Sequence, residues 1–104
     1  MSTFQDRETA FENKFAHDAE MQFRAEARRN KLLGHWAAGL MGLPADEVDA
    51  YAASVVKSDL EEAGQEDVFR KVSGDLGDKA DEATIRAQMA ALMAEAKSQL
   101  LDEA

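Results

Sequence analysis

With 104 residues, 32% of them charged and a formal net charge of −9, the chain has the size and make-up of one small domain. That charge argues against nucleic acid, which demands a basic surface, and the lack of cysteine excludes a disulfide framework and any thiolate site. No apolar run approaches the roughly 20 residues of a membrane span, and Met1 to Glu8 has no signal-peptide layout, so a soluble cytoplasmic protein without membrane insertion is expected.

The charge is unevenly spread. Residues 1–31 hold six acids and six bases, whereas residues 32–104 hold fifteen acids and six bases, which is the whole −9. Two different surfaces are implied. Glycine and the single proline, Pro44, place the breaks between segments rich in Ala, Glu, Leu, Met, Lys and Arg, all good helix formers. The expected fold is all-α: a four-helix bundle with a long N-terminal helix whose first part projects or is mobile.

Helix one is read from about Asp6 to Met41, far longer than the mean of about 11–12 residues. At about 1.5 Å per residue it would span roughly 50 Å. Phe4, Phe11 and Phe15 fall on one stripe at 100° per residue, and Leu33, Trp36 and Leu40 continue it. Between them the stripe is polar: Asp18, Gln22, Glu26 and Arg29. Trp36 anchors the C-terminal patch in the bundle. The N-terminal patch either packs back as ordinary core or waits for a partner. An isolated helix of some fifteen residues is marginal in water, so residues 1–20 are expected to be frayed until a groove takes the aromatic stripe. The reading is therefore a binding arm over 1–20 and a bundle domain over 21–104. Mixed charges on the arm, Asp6, Arg7, Glu8, Glu12, Lys14 and Asp18, can fix register on a partner without strong steering.

Helix two starts near Pro44 and stops before Gly64, with Val48, Tyr51, Ala52, Val55 and Leu60 as its core side. Helix three runs from about Gln65 to Leu76 and offers Val68, Phe69, Val72 and Leu76. Helix four follows Asp81 as N-cap and offers Ile85, Met89, Leu92, Met93, Ala96 and Leu100. Short connections favour antiparallel neighbours.

Candidate sites are few. Arg24, Arg28, Arg29 and Lys31 form a basic cluster that can meet an acidic partner surface or phosphate, including that of adenine nucleotide, or simply face solvent with Glu20–Arg24 support at i, i+4. Otherwise no cofactor is expected. No phosphate-cradling glycine loop is present. His17 and His35 belong to no metal motif, so no metal site is expected; His17 beside Asp18 is either a pH sensor or a solvent-facing side chain. The acids after helix three do not fit a calcium loop, and no serine sits in a triad-like context, so an enzyme is not expected.

The stretches Thr3-Phe4-Gln5-Asp6-Arg7-Glu8, Ala10-Phe11-Glu12 and Lys14-Phe15-Ala16-His17-Asp18 carry a family likeness. So do Ala25-Glu26-Ala27-Arg28-Arg29-Asn30-Lys31-Leu32-Leu33-Gly34, Trp36-Ala37, Ala63-Gly64 and Asp67-Val68-Phe69-Arg70-Lys71. Together they resemble the zeta-subunit family of alpha-proteobacterial F-type ATP synthases. The resemblance covers nearly the whole chain and is closest through Trp36. It implies a regulatory inhibitor of ATP hydrolysis, peripheral to the inner membrane through the synthase. Its arm would enter an interface of the catalytic head, made of the alpha, beta and gamma subunits. On this chain the resemblance implies Phe4, Phe11 and Phe15 as the wedge and Asp6, Arg7, Glu8, Lys14 and His17 as polar contacts. The competing reading is a small helical nucleotide-sensing or protein-interaction module without inhibitory activity.

Overall fold

The computed structural model describes residues 3–59 and 66–104, with side chains from Asp6 onward. The fold is all-α: α1 (Thr3–Phe15), α2 (Ala19–Met41), α3 (Ala45–Ser58), α4 (Glu66–Leu76), a single 3₁₀ turn (Gly77–Lys79) and α5 (Glu82–Glu103). The expected core residue Leu60 and the stretch through Gly64 and Gln65 lie outside the described residues, as does the Phe4 side chain.

Local chemistry sets the boundaries. α2 ends at Gly42, whose φ of 69° is left-handed and therefore suits glycine. The Gly42 N–H donates to the Gly39 carbonyl (3.2 Å) and the Leu43 N–H to the Ala38 carbonyl (3.1 Å), closing a Schellman motif. Pro44 follows as the N-cap of α3, with Asp46 and Glu47 in the first turn against the positive helix end. The Asp81 carboxylate caps α5 by accepting from the Thr84 N–H at 2.8 Å.

The main core joins α2, α3, α4 and α5 through Leu33, Ala37, Val55, Val68, Val72, Leu76, Ile85, Met89 and Leu92, with Trp36, Tyr51 and Phe69 against it. The stripes expected for the last three helices thus face inward. α2 and α3 meet so closely that a Cβ on Gly34 would lie 2.6 Å from the Ala52 Cα.

The first helix departs from expectation. The segment read as one rod from Asp6 to Met41 is two helices, broken at residues 16–18. Asp18 adopts an extended N-cap conformation (φ −99°, ψ 96°), and its carboxylate accepts from the Met21 N–H at 3.1 Å. The Phe15 carbonyl accepts from the Asp18 N–H at 3.0 Å, closing the turn. The physical reason is that a capping carboxylate at Asp18 satisfies an orphan amide of α2, so the chain can reverse there without glycine or proline. Of the two readings open for the aromatic stripe, packing back as core is the one found for the rings described. Phe11 is fully buried, sharing a second cluster with Ala25 and Leu100, flanked by Phe15, Met21, Met93 and Leu101. Of the polar stretch between the two apolar patches, Asp18 marks the reversal, while Gln22, Glu26 and Arg29 lie within α2.

Candidate partner-binding site

α1 lies along the C-terminal half of α5. Its inward side carries Arg7, Glu8, Phe11, Glu12 and Phe15; Asp6, Lys14 and His17 are exposed. Phe11 and Phe15 stack at 5.0 Å with a 53° tilt, and the Lys97 ammonium of α5 lies 5.8 Å from the Phe11 ring centre.

Polar contacts flank this apolar seat. Arg7 donates from Nε to Ser98 Oγ at 2.6 Å and from Nη2 to the Ser98 carbonyl at 3.1 Å, and pairs with Asp102. Lys97 donates to Glu8 at 3.3 Å and to Glu12. Burial alone would pull Lys97 down, but its bonds to Glu12 and Glu8 outweigh that, and the ammonium is held above its ordinary value. The Arg7–Asp102 pair faces water and contributes only about 0–1 kcal/mol. Burying Phe11 contributes roughly 1.5–3 kcal/mol. α1 is therefore held on α5 by the Phe11 ring, the partly buried Phe15 and this polar rim, and it joins α2 through the turn at 16–18.

The residues expected to meet a partner thus divide. Arg7, Glu8, Phe11 and Phe15 are occupied on α5, whereas Asp6, Lys14 and His17 remain on the outer side; the Phe4 side chain lies outside the described residues. Lys97, Ser98 and Asp102, which hold the arm, went unnoticed in the sequence. The signal was a lysine and a serine side by side, Lys97-Ser98, on the C-terminal half of a mainly apolar helix.

The basic cluster also divides. Arg24 pairs with Glu20 at 2.9 Å. Arg28 grips Glu103 at 2.7 Å and 2.9 Å, and that grip holds the Glu103 carboxyl below its usual range. Lys31 is exposed. Arg29 is 3% exposed and does not share that surface; it donates to Asn30 Oδ1 at 2.6 Å, and burial lowers its guanidinium despite Asp59 and Glu26. Among the described residues no three His, Asp or Glu side chains gather where they could hold a metal, and no helix is long and apolar enough to cross a membrane.

The comparisons with known proteins agree with this architecture. No curated protein matches the chain. A structure described as "Solution NMR structure of the protein" is 62% identical and superposes with a TM-score of 0.75, over 81% of this chain and 99% of that one. Residues 1–99, which include α1, the turn at 16–18, the bundle and most of α5, match the family model for ATPase inhibitor subunit zeta. A first helix set off by a capped turn and seated on α5 is thus the form that this chain gives to its family, and the chain belongs to the ATPase inhibitor zeta subunits.

Proposed function

We propose that the chain inhibits ATP hydrolysis by the F-type ATP synthase, with α1 as a latch that leaves α5 and lodges in a subunit interface of the catalytic head. Membership of the inhibitor family supports the target. The observation that carries the mechanism is the seat of Phe11: the ring is fully buried against α5, yet its helix is joined to the bundle by a capped turn and a water-exposed polar rim. One ring cannot occupy two seats. Entry into a partner therefore requires release from α5, and the apparent affinity is reduced by the fraction of molecules already open. A seat worth a few kcal/mol keeps that fraction small but populated. The freed face would present Arg7, Glu8, Phe11 and Phe15, joined by Asp6, Lys14 and His17 from the outer side and by Phe4. On this reading residues 1–20 are the working arm and 21–104 its support.

Deleting residues 2–19 should abolish inhibition of ATP hydrolysis while far-ultraviolet circular dichroism still reports a folded bundle. A second measurement tests release itself. Arg7→Cys with Asp102→Cys, joined by a cleavable bismaleimide, should inhibit only after cleavage; full inhibition while joined would overturn the latch.

A further inference from the structure

Phe23 of α2 is 56% exposed, a large ring turned outward from a small bundle. It borders a groove of about 340 Å³ lined by Ala27, Val56 and Leu100, with Arg24, Arg28 and Glu103 on its edge. At Lys31 and Val56 the groove runs on into a second hollow of about 430 Å³ along the alanines of α3. From Phe23 to Lys31 is roughly 12 Å of α2 at about 1.5 Å per residue, which is about two turns of a docked helix.

The rim reverses the sign of the molecule. Arg24, Arg28 and Lys31 outnumber the two carboxylates there, Glu103, which is paired with Arg28, and Asp49 beside the second hollow, in a chain whose net charge is −9. Lys31 has no ion-pair partner among the described residues, and the Glu20 partner of Arg24 is itself exposed. A free anion or a nucleic acid would use these cations and leave Phe23 and Val56 in water. An apolar floor beside a basic edge calls instead for an amphipathic helix with acidic residues flanking its apolar face. The groove also adjoins the seat of α1: Leu100 lies under Phe11 on one side and floors the groove on the other.

We propose that this groove docks an acidic amphipathic helix of the same protein that receives α1, a second foothold that holds the bundle while the arm engages. The identity of that protein rests on the inhibitory reading above; the groove and its chemistry do not.

The test titrates full-length Phe23→Ala and, separately, Arg24→Glu with Lys31→Glu against the isolated ATPase at several salt concentrations. Each should raise the half-inhibitory concentration about tenfold, the loss expected of a hot-spot contact, with maximal inhibition unchanged. The charge reversal should also flatten the salt dependence. Thermal unfolding of both variants should match the parent, because the side chains are at the surface. Unchanged inhibition and salt dependence in both variants would overturn the groove while leaving the arm intact. Weakened inhibition in these variants, with inhibition surviving arm deletion, would support the groove and overturn the arm. Self-association of the parent chain that Phe23→Ala abolishes, seen by sedimentation, would make the occupant a second copy and overturn the proposal.

Discussion

Gly34 and Gly39 stand five positions apart on α2 and meet opposite surroundings. A Cβ at Gly34 would fall 2.6 Å from the backbone Cα of Ala52, whereas at Gly39 nothing lies within 4 Å. Gly34→Ala must push α3 away from α2 and should destabilise the fold by about 1–3 kcal/mol, the usual cost of overpacking. Gly39→Ala fills empty space inside a helix and should stabilise it by roughly 0.5–1 kcal/mol. Urea denaturation at constant m-value separates the two. Either glycine reads alike in the sequence, as an interruption of a helical pattern. The contact that distinguishes them comes from a helix eighteen residues further along. Asn30 makes the same point: it is fully buried, accepts from Arg29, and its Nδ2 finds no hydrogen-bond partner among the described residues.

At the level of elements, α1 joins the rest of the molecule through its seat on α5 and the turn at residues 16–18. Its apolar contribution is concentrated in Phe11, with Phe15 only partly covered, and its ion pairs join exposed or half-exposed carboxylates to Arg7 and the largely buried Lys97. Phe11→Ala removes a ring whose deletion from a rigid core would cost about 3–5 kcal/mol. Here the cost should stop at the smaller docking free energy of α1, because the helix can leave without unfolding the bundle. Amide hydrogen exchange should therefore quicken in residues 6–15 while Leu33, Val55 and Ile85 keep their protection. Equal acceleration throughout would show that α1 is an integral part of the bundle. The aromatic stripe on this helix was legible in the sequence, and so was its separation from the Trp36 patch. The reversal between them was not, because an aspartate N-cap without glycine or proline looks like one more polar residue on a helix face. With the reversal unseen, a stripe that packs against Leu100 reads as one awaiting a partner.

Across the whole molecule, carboxylates tie the helices together at their ends. The Arg86 hydrogen bond holds Glu66 below its ordinary range, the Thr84 cap does so for Asp81, and Arg28 does so for Glu103. A carboxyl depressed in the folded state stabilises it above the unfolded pKa and loses that contribution as pH falls through the folded value. Stability should therefore be level at neutral pH and decline once the pH falls to about 4, where the same carboxyls in the unfolded chain take up protons that the folded ones still resist. Each group is exposed, so the decline should be gradual. Urea midpoints measured from pH 7 to pH 3 check it, and Glu103→Gln should shorten the fall.

Helix content, the N-cap at Asp81, the break at Gly42 and Pro44, and the inward stripes of the later helices were fixed by near neighbours in the chain, three or four positions apart. Local periodicity and capping determine such features before any tertiary contact forms. The family likeness, too, lay in the order of residues. What only the tertiary structure decided depends on residues some ninety positions apart: Arg7 on Ser98 and Asp102, Lys97 on Glu8 and Glu12, and Phe11 over Leu100. A helix announces which of its faces is apolar, but the neighbour that covers that face is chosen by how the chain turns, and at residues 16–18 the turn is made by one short side-chain bond.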